Sequence, residues 1–475
     1  MTAPLWTRAE LAALGADIRG DFAAATGVSI DTRTLESGDL FVAIQGARDG
    51  HDFVRDALGR GASAAIVARD RADGLAGAGP LVVADDPLAF MTAMGRAARA
   101  RTAARIVAVT GSVGKTGTKE ALRLALGAIG PTHASVASYN NHWGVPLTLA
   151  RMPAESGFGV FEVGMNHAGE IAPLTRMVEP EVAIVTAVEP VHIGHFRSIL
   201  GIADAKGEIF CGMRPGGVAA LPRDNPYYDR LLAHAGASRA GRVISFGEHE
   251  AADVRALRIV AGADASMVEA RVYDETVAYR VGAPGRHVAL NSLAVLATAA
   301  ALGLDRHEVA GALGDLRPAT GRGERFRLPT PDGEILLIDE SFNANPASMR
   351  AALSALAITP IPPGGRRVAI LADMGELGDE GPPAHRALAE AVAASGADLV
   401  FAAGPLMLGM WDALPAAMRG AHAESAAALQ PAVLDAIRAG DVVTVKGSKY
   451  TLVSKLAAAI RSRYEGEAAS AAAGR

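Results

Sequence analysis

A glycine-rich turn between an apolar run and a helical pattern is the part of the sequence with the clearest chemistry. Residues 105–119 read RIVAVTGSVGKTGTK, with a β-branched run before the turn and Lys115 and Thr116 directly after it. A strand, a turn and a helix start collect backbone N–H groups, a helix dipole and an ammonium group around a polyphosphate. A hydroxyl after the lysine can bind Mg²⁺. The stretch predicts that a nucleotide polyphosphate is bound by Gly111, Ser112, Val113, Gly114, Lys115, Thr116 and Gly117.

The spacing of this turn differs from that of the common P-loop. The pattern GxxxxGK[ST] would need glycine at position 109, where this chain has Val109. The short form TGSxGKT is narrower than the general motif and indicates a subset of ATP-using enzymes. A guanine-nucleotide switch would normally carry Asn-Lys-x-Asp, and no asparagine in the chain is followed by lysine. A nucleotide-dependent motor would need the full-length loop, so the sequence disfavours both alternatives.

Composition and charge describe a large globular enzyme and exclude several classes of partner. The chain has 475 residues, of which 50% are hydrophobic and 20% are charged, and this length alone suggests three domains. A net charge of −5 offers no basic surface to nucleic acid. Cys211 is the only cysteine, which suits a reducing compartment. No signal-peptide core is found, and the longest apolar segment, 288–304, is too short to span a bilayer. We therefore expect a cytoplasmic protein with no membrane insertion.

The order of apolar runs and helical patterns predicts an α/β protein of three domains. Residues 1–103 alternate short apolar runs with helical patterns, as a small α/β domain does. Residues 104–320 add buried strands and helices to the glycine turn, which predicts a parallel-sheet ATPase domain. Within that domain, the alternating pattern of residues 254–281 predicts an antiparallel addition. Residues 321–475 resume the βα alternation and predict a Rossmann-like domain, whose last residues, from Gly466, we expect to fray.

Charged residues follow several of the predicted strands, at the place where open α/β sheets bind their ligands. Glu162, Asp339, Asp373 and Lys446 each follow or end an apolar run. Each of them taken singly is explained as well by solvent at a strand end as by contact with a ligand. Their recurrence indicates a site at the carboxyl edge of the sheets.

Four segments follow one another along the chain: TGSVGKTGTKE, YNNHWGVPLTL, EVGMNHAGEI and KGEIF. In these segments and in their order the chain resembles the Mur ligases, the ATP-dependent amide-forming enzymes of peptidoglycan precursor synthesis. Residues 339–346 (DESFNANP) and 371–378 (LADMGELG) indicate the branch that adds D-alanyl-D-alanine. The resemblance implies an ATP-dependent ligase that joins this dipeptide to UDP-N-acetylmuramoyl-tripeptide through an acyl phosphate, with ADP and phosphate released. It also implies that residues 1–103 bind the UDP-sugar, 104–320 bind ATP, and 321–475 close over the nucleotide and bind the dipeptide.

Two related activities fit the sequence less well. The family member that adds meso-diaminopimelate or lysine would show Asp-Asn-Pro-Arg in its C-terminal domain. The Asp-Asn-Pro of this chain, at 224–226, lies in the central domain and is followed by Tyr227. A folate polyglutamylating ligase would not be expected to carry Asp31-Thr-Arg33 and the rest of the N-terminal block. Whether the tripeptide ends in meso-diaminopimelate or lysine stays open, and we expect a monomer.

The resemblance assigns roles to individual side chains at the phosphates and the metal. Lys115, Glu162, His192 and Lys206 are the expected catalytic residues, and two Mg²⁺ sites are expected at Thr116, Glu162, His192 and Lys206. His195, in the same segment VHIGHF, is the alternative to His192. Lys206 is expected as a carbamate, because the family carries a carbamylated lysine at this place. Carbamylation needs a neutral amine and therefore a lysine whose pKa is lowered by its surroundings.

The remaining contacts implied by the resemblance divide between ATP and the peptide substrate. Those with the nucleotide are assigned to Asn291, Arg322, Asp339, Asn343 and Asn345, so closure of the third domain would complete the ATP site. Those with the UDP-sugar and its peptide are assigned to Ser29, Asp31, Thr32, Arg33, His51, Asp52, Asn140 and Asn141. The dipeptide is expected near residues 343–348. The chain departs from the family at His287-Val288, where the family usually has His-Asn.

Overall fold

Short β-branched runs separated by helices form three large sheets in the residues that the computed structural model describes, which are 4–136, 138–191, 193–196 and 198–473. We call the parts around these sheets the N-terminal, central and C-terminal units. The sheets lie within the predicted ranges 1–103, 104–320 and 321–475. Among the described residues, no helix combines the length and the apolar composition needed to cross a bilayer.

The N-terminal unit is a mixed sheet with the strand order β2-β7-β6-β5-β4, parallel except for the pair of β2 and β7. Strands β1 and β3 form a separate antiparallel pair. The elements are β1 (Trp6–Thr7), α1 (Arg8–Ala13), β2 (Asp17–Arg19), β3 (Ala24–Ala25), β4 (Gly27–Ser29), β5 (Asp39–Val42), α2 (Val54–Gly59), β6 (Ala64–Ala68), α3 (Arg69–Ala72), β7 (Leu81–Ala84) and α4 (Pro87–Arg101).

The central unit is one long sheet with the order β16-β15-β14-β13-β12-β11-β8-β10-β9. The elements are β8 (Arg105–Thr110), α5 (Lys115–Ile129), β9 (Thr132–Ala134), α6 (Gly144–Ala150), β10 (Phe158–Glu162), α7 (Ile171–Val178), β11 (Val182–Val185), α8 (Ile199–Gly207), β12 (Gly217–Pro222), α9 (Tyr228–Gly236), β13 (Ala240–Gly247), β14 (Val254–Ala261), β15 (Ser266–Val272), β16 (Glu275–Val281), α10 (Arg286–Leu302) and α11 (Arg306–Ala312). The strands from β9 to β13 pair in parallel, as predicted. β14 pairs in parallel with β13, and β14, β15 and β16 pair antiparallel. The antiparallel addition therefore continues the main sheet.

The C-terminal unit has the order β17-β18-β22-β19-β20-β21, parallel except for the pair of β17 and β18. Its elements are β17 (Glu324–Thr330), β18 (Gly333–Glu340), α12 (Pro346–Ile358), β19 (Arg367–Ala372), α13 (Gly381–Ala394), β20 (Leu399–Ala403), α14 (Leu408–Ala413), β21 (Arg419–Ala423), α15 (Ala426–Ala436), β22 (Val442–Lys446) and α16 (Val453–Ala473). The expectation that residues from Gly466 fray was wrong, because α16 continues to Ala473. This part of the chain is rich in alanine, which has the highest helix propensity.

Candidate active site

A cleft of about 900 Å³ lies between the central and C-terminal units. The central unit lines it with the glycine turn, the ends of β10 and β12 and the first turns of α10. The C-terminal unit lines it with the ends of β18 and β22 and the start of α12. The carboxyl edges of two sheets thus face one another, and this is the edge at which open α/β sheets bind ligands.

The glycine turn has a positive φ, which favours glycine, at two positions. Gly111 has a φ of 152° and Gly114 a φ of 83°. A Cβ at Gly111 would come within 1.9 Å of Thr186 Oγ1, and one at Gly114 within 2.5 Å of Asn291 Nδ2. The close approach at Gly114 brings Asn291, the residue assigned to the adenine side, directly against the turn.

Lys115 begins α5 at the floor of the cleft. Its Nζ donates to the carbonyl oxygens of Gly111, at 2.7 Å, and Ser112, at 3.5 Å. Burial lowers the pKa of Lys115, the carboxylate of Glu162 opposes this shift, and the positive charge of Arg322 adds to it. A positive helix end, a lysine and an arginine therefore converge where a polyphosphate would bind.

Oxygen donors suited to a hard cation meet beside this lysine. The Oγ1 of Thr116 donates to Glu162 Oε2 at 2.9 Å and lies 3.3 Å from Ser138 Oγ. Asn140 Nδ2 donates to the other carboxylate oxygen of Glu162 at 2.7 Å. No cluster of three or more His, Cys, Asp or Glu is found in the described part of the chain. Because Mg²⁺ binds proteins through one or two carboxylates and completes its shell with water and phosphate, this donor set fits it.

Lys206 is placed on α8 with 2% of its surface exposed. Its pKa is well below the usual value, first because the amine is buried and second because Lys115 is positively charged. His192 lies outside the described residues. The backbone of His195 ends a short 3₁₀ turn, Ile193–His195.

The C-terminal side of the cleft is cationic. The Nη2 of Arg322 donates to Ser138 Oγ at 3.4 Å, and its guanidinium stacks on the Phe342 ring at 3.9 Å. Lys446, which is 3% exposed, donates to the carbonyl oxygen of Asn343 at 2.9 Å and pairs with the Glu340 carboxylate at 3.5 Å. Burial lowers the pKa of both Arg322 and Lys446.

Asp339, Asn343 and Asn345 have different surroundings. Both asparagines line the cleft, and Asn345 caps α12 by accepting from Ser348 N at 2.9 Å. Asp339 is not among the lining residues; its Oδ1 accepts from Ser341 N at 2.9 Å. Glu340 lines the cleft instead, because neighbouring residues of a strand point to opposite faces.

Among the residues that line the cleft, Ser138, Glu340 and Lys446 are important examples to which sequence reasoning gave no role. Ser138 stands two residues before Asn140, which was assigned, but nothing in the sequence places its hydroxyl between Thr116 and Arg322. Lys446 was noted as a charged strand end without a role. The signal that could have found it is the pairing of β22 with β18, which sets Lys446 beside Glu340.

The residues assigned to the UDP-sugar on the N-terminal unit do not line this cleft. Arg33 pairs with Asp31 at 2.5 Å, and its hydrogen bonds lower the pKa of Asp31 to about 2. The hydroxyl of Ser29 is buried and donates to the Asp31 carbonyl oxygen at 3.1 Å. Thr32 is half-buried and Asp52 is exposed. These side chains form a polar segment on the N-terminal unit, apart from the glycine turn.

The side chains of two assigned substrate residues accept hydrogen bonds from backbone N–H groups in this structure. His51 is 5% exposed; its Nε2 accepts from Ala68 N at 2.9 Å and its Nδ1 lies 2.6 Å from Asp49 Oδ1. The Nε2 contact thus joins the turn around residue 51 to β6, and the Nδ1 contact holds the turn itself. Asn141 Oδ1 accepts from Gly144 N at 3.0 Å at the start of α6.

Comparison with known proteins gives one consistent result. Family models match consecutive parts of the chain: "Mur ligase family, catalytic domain" over residues 24–94, "Mur ligase middle domain" over 109–299, and "Mur ligase, glutamate ligase domain" over 321–449. The chain is similar to the UDP-N-acetylmuramoyl-tripeptide–D-alanyl-D-alanine ligase of Escherichia coli (strain K12), with 36% identity over 82% of each chain. The protein of the same name from Synechocystis sp. is also 36% identical, over 79% of this chain and 78% of its own.

Solved structures agree with these relatives. The crystal structure of MurF from Acinetobacter baumannii superposes with a TM-score of 0.81 at 28% identity, covering 96% of this chain and 98% of that one. MurF ligase from Thermotoga maritima in complex with ADP shares the fold, with a TM-score of 0.72 at 23% identity over 93% of this chain and 98% of that one. With the family models matching all three units and relatives above 30% identity covering most of its length, the chain belongs to the Mur ligase family.

Proposed function

We propose that this chain is the ATP-dependent ligase that joins D-alanyl-D-alanine to UDP-N-acetylmuramoyl-tripeptide, giving the UDP-linked pentapeptide, ADP and phosphate. The observation that carries the proposal is the cleft in which the glycine turn and Lys115 lie beside Thr116 and Glu162 and opposite Arg322 and Lys446. The relatives that are named for this activity match the chain over most of their length. The reaction belongs in the cytoplasm, where ATP is available, and we treat the chain as a monomer.

The chemistry explains why the site is built from positive charge. A peptide carboxylate is a poor acyl donor, because oxide is a poor leaving group. One of its oxygens attacks the γ-phosphorus of ATP and the bond to ADP breaks, which leaves an acyl phosphate. The dipeptide amine then attacks the acyl carbon, loses a proton and expels phosphate as the amide forms. Both transition states carry negative charge on phosphoryl oxygens, so catalysis depends on positioning and on electrostatic stabilisation.

Each cationic group has a distinct task in this scheme. Lys115 exchanges its contacts with the turn carbonyls for the β- and γ-phosphate oxygens. Arg322 and Lys446 supply charge from the C-terminal unit, so the site is complete only when this unit is closed. Thr116 and Glu162 would hold Mg²⁺, which neutralises phosphate charge when bound.

Lys206 is proposed as the carbamylated residue. Its amine is buried and has a lowered pKa, which favours the neutral form that attacks CO₂. The N–C bond forms, one proton is released, and the side chain becomes an anion beside the positive charge of Lys115. The carbamate can then complete the metal site together with Glu162 and, as the resemblance implies, His192.

The two peptide substrates are proposed to enter from opposite sides of the nucleotide. Asn140, in contact with Glu162, stands where the tripeptide carboxylate would meet the γ-phosphate. The UDP end is proposed to bind the segment of Asp31 and Arg33, with His51 supporting the neighbouring turn. The dipeptide is proposed to bind near Asn343, on the C-terminal wall of the cleft.

The test is phosphate release from ATP with UDP-N-acetylmuramoyl-tripeptide, measured with and without D-alanyl-D-alanine. We expect release that depends on the dipeptide, together with UDP-linked pentapeptide detected by mass spectrometry. Lys115→Ala should reduce both by at least about a thousandfold, on the scale of losing a main phosphate contact. Buffer freed of bicarbonate should lower the rate, and added bicarbonate should restore it. Equal release without the dipeptide would contradict the ligase, and indifference to bicarbonate would contradict the carbamate.

A further inference from the structure

A second lysine of the glycine-turn helix is buried although it does not line the cleft. Lys119 has 0% of its surface exposed, in the second turn of α5. Its Nζ donates to the carbonyl oxygen of Ser135 at 2.7 Å and pairs with the Glu120 carboxylate at 2.6 Å. Burying an ammonium group is costly unless it is paired and hydrogen-bonded. The contact with Ser135 is therefore a fixed part of the structure.

Ser135 connects this lysine to the end of β10. It follows β9 directly and is 2% exposed. Its backbone N–H donates to the Val160 carbonyl oxygen at 3.2 Å, and its Oγ accepts from the backbone N–H of Glu162 at 3.3 Å. Lys119, Ser135 and Glu162 thus form a continuous chain of hydrogen bonds from the helix to the carboxylate residue.

Glu162 needs such a support because its carboxylate must keep one orientation. The side chain is 1% exposed, and its two oxygens accept from Thr116 and Asn140. With Thr116, this carboxylate would hold Mg²⁺, and a ligand in that role tolerates little displacement because Mg²⁺ requires nearly ideal octahedral geometry. Groups behind the ligands of a metal commonly set its affinity.

We propose that Lys119 is a positioning residue, which fixes Ser135 and through it the backbone of Glu162 in the arrangement that binds the metal–nucleotide complex. The inference rests on the proposed function only for the identity of the reaction. It predicts that Mg²⁺-dependent nucleotide binding weakens when the amino group of Lys119 is removed.

The test compares Lys119→Met with Arg123→Met. Methionine fills a similar volume without a donor, and Arg123 is a matched control because it pairs with Glu120 at 2.7 Å from the exposed side and does not reach Ser135. ATP affinity is measured by calorimetry with and without Mg²⁺, together with kcat and the Mg²⁺ concentration for half-maximal rate. In Lys119→Met we expect at least a tenfold lower kcat, a Mg²⁺ midpoint raised several-fold, and little change in metal-free ATP binding. Arg123→Met should stay within twofold of the wild type in all three.

A further variant keeps the proposal testable if Lys119→Met does not fold. Ser135→Ala removes only the hydroxyl that accepts from Glu162 N, and it should shift the same quantities in the same direction by a smaller factor. Wild-type values in folded Lys119→Met, or equal losses in Arg123→Met, would overturn the proposal. Failure of the ligase activity itself would show as absent dipeptide-dependent phosphate release in the wild type, whereas calorimetry would still report on Lys119.

Discussion

The N-terminal unit is joined to the central unit by buried side chains, whereas the C-terminal unit faces the central unit across a cleft. Trp6 is 1% exposed and its indole donates to the Ala150 carbonyl oxygen of α6 at 2.7 Å. Leu147 and Ala150 of α6 belong to the same apolar cluster as Trp6 and the inner face of α4. Where α4 crosses α6, a Cβ at Gly95 would lie 3.0 Å from the Pro146 carbonyl oxygen. The two units share one core.

The contacts on the C-terminal side are of another kind. Arg322 reaches Ser138 at 3.4 Å, and the Gly194 N–H reaches the Glu376 carbonyl oxygen at 3.3 Å. Ile193 is half-buried and packs against the apolar clusters of both units. Polar contacts of this length exchange readily with water, so they stabilise a closed arrangement only weakly.

This difference suggests separate roles for the two interfaces. A shared core makes the N-terminal and central units one rigid body, suited to holding a long substrate across both. Because the contacts with the C-terminal unit are few and weak, we propose that this unit opens for nucleotide and dipeptide and closes for reaction. Stability and turnover should therefore respond to different sets of residues.

The largest effect, a loss of unfolding free energy, is expected from Trp6→Ala. Removing a fully buried tryptophan costs about 3–5 kcal/mol of unfolding free energy. If the first two units share a core, the loss should extend to the central strands. Hydrogen exchange should then show faster exchange for the amides of β8 and β10, while strands β19 and β20 keep wild-type protection.

Trp411→Ala supplies the matched control for this experiment. Trp411 is half-buried on α14 of the C-terminal unit, so its removal should speed exchange in β19 and β20 and leave β8 unchanged. Unaltered protection of β8 in Trp6→Ala would mean that the first two units unfold independently. This result would contradict a core shared by the two units.

Arg322→Met is expected to have a smaller effect, and on turnover instead of stability. One preorganised cation removed from the phosphates should lower kcat about a hundredfold, or about 2.7 kcal/mol. The unfolding free energy should change by less than about 0.5 kcal/mol, because the guanidinium bridges two units and lies outside either core. Steady-state kinetics and urea unfolding of the same preparation measure both quantities.

Arg327→Met is the companion variant, since Arg327 lies on β17, which begins two residues after Arg322, and pairs with Glu334 outside the cleft. It should leave kcat unchanged. A large stability loss in Arg322→Met with a proportionate loss of activity would indicate that the C-terminal unit is packed as firmly as the N-terminal one.

The fold could be predicted from the sequence wherever local pattern decides it. The strand at 105–110, the positive-φ glycines of the turn and the helix from Lys115 follow from residue types in one short stretch. The helix α4, Pro87–Arg101, is decided in the same way. Its capping aspartate, first-turn proline and apolar spacing are local signals that tertiary contacts reinforce.

The site was less predictable because long-range pairing decides which side chains meet. Lys119 looks like a solvated helix residue until β9 brings the carbonyl oxygen of Ser135 over it. Asp339 and Glu340 are equivalent in the sequence, and only the pairing of β18 with β22 turns one of them into the cleft. His51 lies in a family signature, yet its ring is occupied by partners 2 and 17 residues away.

The smallest effect is expected from Asp49→Asn, which tests the rigidity of the N-terminal unit. Hydrogen bonds from the His51 backbone and ring, with the charge of Arg71, lower the pKa of Asp49 to about 2. A carboxylate with a lowered folded-state pKa adds stability that is fully present above its unfolded value of about 3.9 and is lost as pH falls toward 2. The melting temperatures of wild type and Asp49→Asn should therefore differ at pH 5 and converge between pH 4 and 2.

The control variant is Asp52→Asn. It removes the same charge from a side chain that is 68% exposed and 3.8 Å from Arg71, where solvent screens the pair. Its melting temperature should stay near that of the wild type throughout. A constant difference for Asp49→Asn down to pH 2 would show that the carboxylate does not hold the turn through its charge, and that the N-terminal unit owes its rigidity to the shared core alone.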